Sequence, residues 1–174
     1  YADTCDARAS FASPARRQEI LRDPHLGAFA AIRLSAYFVA DFALWTALPE
    51  APWELLLLAP CASRALSGLA ITSFPLAAES SLAKTFADAA ARSRAKAVLT
   101  ALSALLLLGL CVQGPGGAAM ALAGLACFFR CRRIARREFG GLSGDLAGWF
   151  LQTAEIWMLA ALCAVQWGGR ILCF

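Results

Sequence analysis

The sequence predicts an all-α, polytopic membrane protein with about five transmembrane helices. Hydrophobic residues make up 60% of the 174 residues and charged residues only 16%, whereas soluble domains average about 45–50% apolar and about 25% charged residues. The mean hydropathy is +0.61, and the lysines and arginines concentrate in clusters that separate long apolar stretches. The sequence has no internal repeat, so residues 1–174 are expected to form a single membrane domain.

Five apolar stretches approach the roughly 20 residues that a helix needs to cross a bilayer: 32–48, 53–76, 97–112, 117–129 and 146–167. The third and fourth are short, and the sequence Gln-Gly-Pro-Gly-Gly at 113–117 between them is a strong turn signal. This turn suits either a tight hairpin or a re-entrant pair. Complete crossing by the fourth span is therefore left open.

The distribution of charge predicts the orientation in the membrane. If all five stretches cross, three basic clusters fall on one side: 8–33, 84–96 and 130–137. The positive-inside rule makes that side cytoplasmic, which predicts an inner (cytoplasmic) membrane protein with cytoplasmic loops at 1–31, 77–96 and 130–145. Four tryptophans near predicted span ends fit the aromatic belts of membrane proteins: Trp45, Trp53, Trp149 and Trp167. The lipid bilayer is an expected partner, a homo-oligomer is left open, and no nucleic-acid partner is expected.

The chain begins with Tyr1 rather than Met, and no signal peptide precedes its first motif, so we expect it to be a piece of a longer protein. Its seven cysteines form no C-x-x-C pair and have no histidine cluster beside them, which favours packing roles over disulfides or zinc. His25 is the single histidine. It predicts either a phosphate or substrate contact or an ordinary loop residue, and a Ser-His-Asp triad has little support.

Two carboxylates, Asp3 and Asp6, stand at the start of the chain. At a spacing of three residues on a helix they share one face and can hold a divalent cation. The same spacing is typical of solvated helix faces and caps. The pair alone therefore does not decide between metal binding and a structural role.

The next segment predicts a short helix with Ser13 as its N-cap and Pro14 at the first helical position, stopped by Asp23-Pro24. Three arginines in it can bind phosphates, or can act only on membrane topology and anionic lipid: Arg16, Arg17 and Arg22. The same two alternatives hold for the arginines at 130–137.

Three charged residues fall inside predicted spans: Asp41, Arg64 and Glu155. A charge in the hydrocarbon costs on the order of 3 kcal/mol even on insertion scales, so such residues usually pair or face a polar cavity. They are candidate pocket residues, and an internal Asp41–Arg64 ion pair is the equally weighted alternative.

Four short stretches occur in an order that a known membrane family shares. A-D-T-C-D-A at 2–7 is similar to the end of the motif D-G-x-A-D-T-x-D-[GA], and R-Q-E-I-L-R-D-P-H-L-G-A-F at 17–29 is similar to R-x-E-I-M-[KR]-D-S-x-I-G-[TA]-[FY]. Ser63-Arg64 and residues 74–88 resemble a span followed by P-[YPL]-A-R-x-E-G-L-G-x-x-F. G-G-L-S-G-D-L-A-G at 140–148, followed by Glu155, resembles G-G-x-T-G-D-x-[LY]-G with a later glutamate. Together they resemble the cobalamin synthase (adenosylcobinamide-GDP ribazoletransferase) family over nearly the whole chain.

Several positions depart from the family pattern. Pro24 replaces a serine, Ala30 a glycine and Ala78 an arginine, and Ser81-Leu82-Ala83 replaces Gly-Leu-Gly. An earlier aspartate of the family would fall before Tyr1, together with the spans expected to precede it. Substrate contacts in these loops are expected to differ, and this chain is expected to lack part of the metal site.

The resemblance implies transfer of the adenosylcobinamide phosphoryl group from its GDP ester to α-ribazole or its phosphate, with release of GMP, in the last steps of cobalamin biosynthesis. It implies Mg²⁺ held by Asp3 and Asp6, with Asp145 as a further catalytic residue, and it leaves Asp6, Asp145 and water open as the general base. The residues expected to contact the corrinoid nucleotide and α-ribazole are Arg17, Arg22, Asp23, His25, Gly27, Arg64, Gly144 and Glu155. From spacing alone, a cap on the final helix is at least as good an explanation of Asp145 or Ser143.

Two other classes of protein remain as alternatives. A CDP-alcohol phosphotransferase also uses aspartates near a membrane surface, but its signature continues through further residues to two more aspartates, and no such continuation follows Asp6. A non-catalytic membrane subunit or a decayed homologue would explain the hydrophobicity and the charges within spans. It would leave the ordered loop motifs unexplained.

Overall fold

The structure is a computed structural model that describes residues 1–23, 25–77 and 89–172, without the side chains of 89, 90 and 172. These residues form seven α-helices: α1 Ala2–Ala9, α2 Pro14–Ile20, α3 Ala28–Ala47, α4 Trp53–Ser73, α5 Ala89–Val112, α6 Pro115–Glu138 and α7 Gly144–Leu172. The predicted all-α class is confirmed. The expected loop motif at Ala78, Glu79 and 81–88, and the departure at Pro24, lie outside the described residues.

Four of the described helices are long and apolar enough to cross a membrane: Ala28–Ala47, Trp53–Ser73, Ala91–Val112 and Gly144–Ile171. They contain the third and fifth predicted spans, the first except for residue 48, and most of the second, which was expected to continue to residue 76. The fourth predicted span, 117–129, is the apolar part of α6, whose last nine residues carry five arginines. A two-residue turn at Gln113 and Gly114 separates α5 from α6, so the structure adopts the tight hairpin.

The core of the bundle lies between α4, α6 and α7, with α5 against α4 and α6. Large side chains from all three central helices fill it, including Leu66, Met120, Phe128, Phe150 and Met158. By contrast, α3 packs mainly on α1 and α7 and is only 6% buried along its span. The first membrane helix is thus held at the side of the bundle rather than within it.

The two amino-terminal helices dock on one end of this bundle, which we call the arginine end. It comprises α1, α2, the end of α4, the start of α5, the arginine-rich end of α6 and the start of α7. Arg92 joins α5 to the end of α4 through hydrogen bonds from its Nε to the Thr72 carbonyl at 3.0 Å and from its Nη2 to the Phe74 carbonyl at 2.9 Å. The N-terminal basic segment and the arginines of α6 therefore lie at the same end, as the charge pattern predicts.

The short helix predicted after Ser13 is present. The Ser13 Oγ accepts a hydrogen bond from the Arg16 N–H at 3.5 Å, and Pro14 is the first helical residue. The helix ends at Ile20, a few residues before the predicted stop.

Of the four tryptophans expected in aromatic belts, Trp45, Trp53 and Trp167 are exposed, whereas Trp149 is only 5% exposed. It packs beneath the guanidinium groups of Arg8 and Arg130. Guanidinium groups from α1 and α6 thus cover this ring and exclude it from the surface.

Candidate functional site

Asp6, one of the two predicted metal ligands, lies against the N-terminus of α3. Its Oδ1 accepts a hydrogen bond from the Ala30 N–H at 3.4 Å. Gly27 is the N-cap of α3, and a side-chain carbon at this position would clash with the Asp6 carboxylate. Only glycine leaves room for that close approach, and the positive end of the helix dipole then faces the carboxylate. The structure therefore brings together Asp6 and Gly27, which come from two different sequence motifs.

Asp3 lies one helical turn before Asp6 and is half-buried. Neither its carboxylate nor Asp6 Oδ2 has a hydrogen-bond partner within the described residues, and Thr4 Oγ1 between them is buried without one. Mg²⁺ takes oxygen ligands, commonly one or two carboxylates together with substrate phosphates. The unpaired oxygens of Asp3 and Asp6 fit that donor set. Across the described ranges, no group of three or more His, Cys, Asp or Glu residues is placed to hold a metal.

Glu138, which the sequence analysis did not single out, is the residue that joins α1, α2 and α6. Its carboxylate binds Arg8 twice, with Nε to Oε2 at 2.8 Å and Nη2 to Oε1 at 3.2 Å, and binds Arg17 Nη1 at 3.0 Å. Partial burial by itself raises the pKa of Glu138, but the hydrogen bonds and charges of Arg8 and Arg17 outweigh it, so the pKa is lowered. The sequence marks Glu138 only as a single carboxylate that follows a run of arginines.

Arg17 is a predicted substrate contact whose guanidinium is here bound to Glu138, with the ring of Phe139 at 5.9 Å. The neighbouring Gln18 donates from Nε2 to the Phe139 carbonyl at 2.9 Å. Arg17 therefore orients α2 against the end of α6. Its expected contact with substrate stays a prediction.

The predicted contacts Arg22, Asp23 and His25 lie on the exposed surface between α2 and α3. Asp23 Oδ1 accepts from the His25 backbone N–H at 2.9 Å and lies 2.8 Å from His25 Nδ1. These contacts, the backbone one first, lower the pKa of Asp23. The two residues thus bind each other on the surface shortly before Gly27.

The glycine-rich motif before α7 packs on the end of α4. Leu142 donates its N–H to the Pro75 carbonyl at 2.8 Å and accepts from the Ala77 N–H at 3.0 Å. Two further motifs, 74–77 and 140–148, are thereby brought into contact. Sequence order alone does not predict this pairing.

Ser143, not Asp145, caps α7. The Ser143 Oγ accepts from the Leu146 N–H at 3.3 Å, which is the usual N-cap contact. Asp145 stands in the first turn, exposed beside Gly144, and makes no hydrogen bond or ion pair to any described residue. Its carboxylate is therefore available to a ligand at the arginine end.

Glu155 and Arg64 meet part-way along the bundle rather than at its arginine end, and the Arg64 side chain is exposed. Glu155 Oε1 lies 2.6 Å from Arg64 Nη1 and accepts from Ser63 Oγ at 2.7 Å. The alternative Asp41–Arg64 pair is wrong, because Arg64 on α4 faces α7, whereas Asp41 lies on α3. Asp41 and Glu155 instead line one cavity of about 260 Å³, together with Tyr37. Ten residues separate Asp145 from Glu155, about 15 Å along the helix, so these two predicted site residues do not form one cluster.

A larger cleft, of about 630 Å³, lies between α1, α3, α6 and α7. Arginines and aromatic rings line it, among them Arg8, Arg33, Arg130, Trp149 and Trp157. At α1 it is lined by the N-cap Tyr1 and by residues 5, 8 and 9, which at about 100° per residue lie on the other side of the helix from Asp3. The arginine end thus presents two surfaces of opposite charge on the two sides of α1.

Comparison with known proteins gives a family match over almost the whole chain. Residues 1–163 match the family model described as cobalamin-5-phosphate synthase. The chain has no significant match among solved structures.

Curated proteins named adenosylcobinamide-GDP ribazoletransferase are similar to the chain. The protein of Lachnoclostridium phytofermentans is 37% identical over 173 residues, covering 99% of this chain and 66% of its own length. That of Pseudomonas savastanoi pv. phaseolicola is 33% identical over 165 residues, with 92% and 66% covered, and that of Desulfitobacterium hafniense is 31% identical over 162 residues, with 90% and 63% covered. The chain spans just under two thirds of the length of these relatives.

Proposed function

The chain belongs to the cobalamin-5-phosphate synthase family, and from this premise we propose that it carries out the reaction for which its relatives are named, adenosylcobinamide-GDP ribazoletransfer. In this reaction a ribose hydroxyl of α-ribazole, or of its phosphate, attacks the phosphorus that bears adenosylcobinamide. The bond from that phosphorus to the bridging oxygen of the diphosphate breaks, and GMP leaves with the electron pair. The family match over 1–163 is the observation that carries the proposal.

The arrangement of the motifs supports the proposal, because segments distant in sequence meet at one end of the bundle. The Asp3–Asp6 segment packs against Gly27, and residues 75–77 pair with Leu142, next to Ser143 and Asp145. Phosphoryl transfer depends mainly on positioning and on electrostatic stabilisation of charge. A single end that presents carboxylates together with arginines suits a diphosphate substrate.

We assign the Mg²⁺ expected of this reaction to Asp3 and Asp6. When bound, the ion would neutralise charge on the diphosphate. Gly27 and the N-terminus of α3 fix the Asp6 side chain, so the two carboxylates are held by packed helices rather than by a loop.

We assign the acceptance of the ribose hydroxyl proton to Asp145. Asp6 already accepts a hydrogen bond through one oxygen, whereas Asp145 has no partner within the described part of the chain and is exposed. A general base must reach the proton that it removes. Water is the alternative acceptor.

The arginine end is proposed to face the cytoplasm of a cell with an inner membrane. The five arginines of α6 are all exposed and lie at the same end as α1 and α2. The positive-inside rule predicts that such ends lie in the cytoplasm. The corrinoid nucleotide and α-ribazole would then reach the site from that compartment.

The test is release of GMP by the membrane-inserted protein from adenosylcobinamide-GDP plus α-ribazole. We expect release that requires both substrates. CDP-alcohol substrates, supplied in parallel, test the alternative phosphotransferase. Turnover of a CDP-alcohol, or no release by a correctly inserted protein while a related enzyme works in the same vesicles, would contradict the proposal.

A further inference from the structure

We propose that the cleft between α1, α3, α6 and α7 is a binding site for a phosphate-bearing ligand, held by Arg33 and Arg130. Neither Asp3 nor Asp6 lines this cleft, so it is not the carboxylate pair assigned to Mg²⁺. Its volume of about 630 Å³ lies within the 300–1,000 Å³ typical of small-molecule sites.

The charge of the cleft is unbalanced. Three arginines line it, Arg8, Arg33 and Arg130, and none of the described lining residues is an aspartate or glutamate. Glu138 offsets Arg8, but it also binds Arg17, and it does not line the cleft. A concave surface with low-dielectric walls and one sign of charge concentrates ions of the other sign. The ligand that this surface selects is therefore an anion.

Arg33 and Arg130 are the two cleft arginines with hydrogen-bond capacity to spare. Neither makes a hydrogen bond or ion pair to another residue that the structure describes, whereas Arg8 is committed to Glu138. Arg130 is held near the cleft by stacking on Trp149, with 5.7 Å from its Cζ to the ring centroid. A guanidinium group presents a planar fork of donors that matches phosphate oxygens. These two side chains can thus bind a phosphate from opposite helices, α3 and α6.

The walls of the cleft are aromatic. Phe29 and Trp157 line it and are each 56% exposed. Exposed rings beside arginines suit either the base of a nucleotide, which stacks on an aromatic face, or the glycerol and acyl region of a phospholipid at the membrane interface. Both sources supply the same phosphate chemistry. That the ligand is a nucleotide substrate of the reaction rests on the proposed function, but the binding of a phosphate group does not.

The experiment measures binding to the purified protein in nanodiscs, without Mg²⁺ or turnover. One arm titrates GDP into nanodiscs of neutral phosphatidylcholine by calorimetry. The other measures retention of phosphatidylglycerol by native mass spectrometry. The variants are Arg33→Gln and Arg130→Gln, with Arg136→Gln as the matched control, because Arg136 is an exposed arginine on the same helix as Arg130 that does not line the cleft.

We expect Arg33→Gln and Arg130→Gln each to weaken binding about tenfold or more in one arm, as loss of a charged hydrogen bond does, while Arg136→Gln changes it less than twofold. A loss confined to GDP identifies a nucleotide site, and a loss confined to phosphatidylglycerol identifies a lipid site. Equal loss in all three variants would show charge attraction without a site and would overturn the proposal. So would binding that none of them changes, or no binding in either arm. Because no turnover is measured, failure of the proposed reaction would leave this result intact.

Discussion

Asp6 Oδ1 accepts a hydrogen bond from the backbone N–H of Ala30, 24 residues further along the chain, at 3.4 Å. This contact places a carboxylate of the first motif at the N-terminus of the first membrane helix. It also explains the glycine at position 27, where a side-chain carbon would clash with the same carboxylate. The position of Asp6 is therefore set by the start of α3 as well as by α1.

Gly27→Ala is expected to reduce turnover by on the order of 10- to 100-fold, because the added methyl group displaces the Asp6 carboxylate. The backbone at Gly27 is extended, with φ −75° and ψ 162°, which alanine also adopts, so the melting temperature should change little. GMP release and thermal unfolding measure the two effects. Gly148→Ala is the control, since nothing lies within 4 Å of a side-chain carbon there. Equal activity of the two variants would contradict this role of Gly27.

Glu138→Gln is expected to cost about 1–3 kcal/mol of stability, because it leaves the partly buried Arg8 and Arg17 without their counter-charge. Glu19→Gln is the control. It breaks an exposed Arg16–Glu19 pair, which should contribute less than about 1 kcal/mol. Unfolding in mixed micelles compares the variants. Similar losses for both would show that Glu138 does not join α1 and α2 to α6.

The lowered pKa of Glu138 also predicts how the stability of wild type and of Glu138→Gln depends on pH. The stabilisation is complete above the ordinary glutamate pKa of about 4.3 and is lost as the pH falls through the lower value in the folded protein. Wild type should therefore lose more stability than Glu138→Gln between pH 5 and the acid limit of the fold. Parallel pH curves for the two proteins would exclude the ion pair.

A double-mutant cycle on Arg64 and Glu155 is expected to give a coupling energy of roughly 0.5–2 kcal/mol. The same cycle on Arg64 and Asp41 should give a value near zero, because Arg64 binds Glu155 Oε1 and makes no ion pair with Asp41. Neutral substitutions, Arg64→Gln with Glu155→Gln or Asp41→Asn, keep the side-chain volumes close. A larger coupling energy for Arg64 with Asp41 than with Glu155 would contradict the Arg64–Glu155 ion pair between α4 and α7.

Ser143→Ala and Asp145→Asn are expected to separate stability from activity at the start of α7. Ser143→Ala removes the N-cap contact to Leu146 and should cost about 1 kcal/mol while retaining most turnover. Asp145→Asn should leave the melting temperature unchanged and lower turnover at least about 100-fold, in the range lost when a general base is removed. Full activity of Asp145→Asn would leave water as the proton acceptor.

The sequence predicted the helical membrane fold because apolar stretches and arginine clusters are local patterns that a bilayer imposes directly. It also predicted the α5–α6 turn and the Ser13 cap, both of which depend on neighbouring residues. It did not predict the partner of Arg64, because that depends on which helices pack; an ion pair with Asp41 was the equally weighted alternative to a pocket role, whereas Arg64 binds Glu155. Trp149 was expected in a belt but is covered by Arg8 and Arg130.

In the candidate site, too, some residues could be predicted from the sequence and others could not. Motif order placed Asp3, Asp6 and Asp145 as candidates, and the structure places their helices at one end of the bundle. Glu138 was missed because a single carboxylate after five arginines has no spacing signature. Its importance appears only when α1 and α2 fold back onto the end of α6.

The most direct test of the central assignment is GMP release as a function of Mg²⁺ concentration for wild type, Asp3→Asn and Glu19→Gln. Asp3 has no partner among the described residues, so Asp3→Asn should leave folding intact. We expect Mg²⁺-dependent release for wild type and Glu19→Gln, and for Asp3→Asn a loss of turnover or a requirement for at least about tenfold more Mg²⁺. Release that is independent of Mg²⁺, or an Asp3→Asn curve that overlays wild type, would contradict a magnesium site at Asp3 and Asp6.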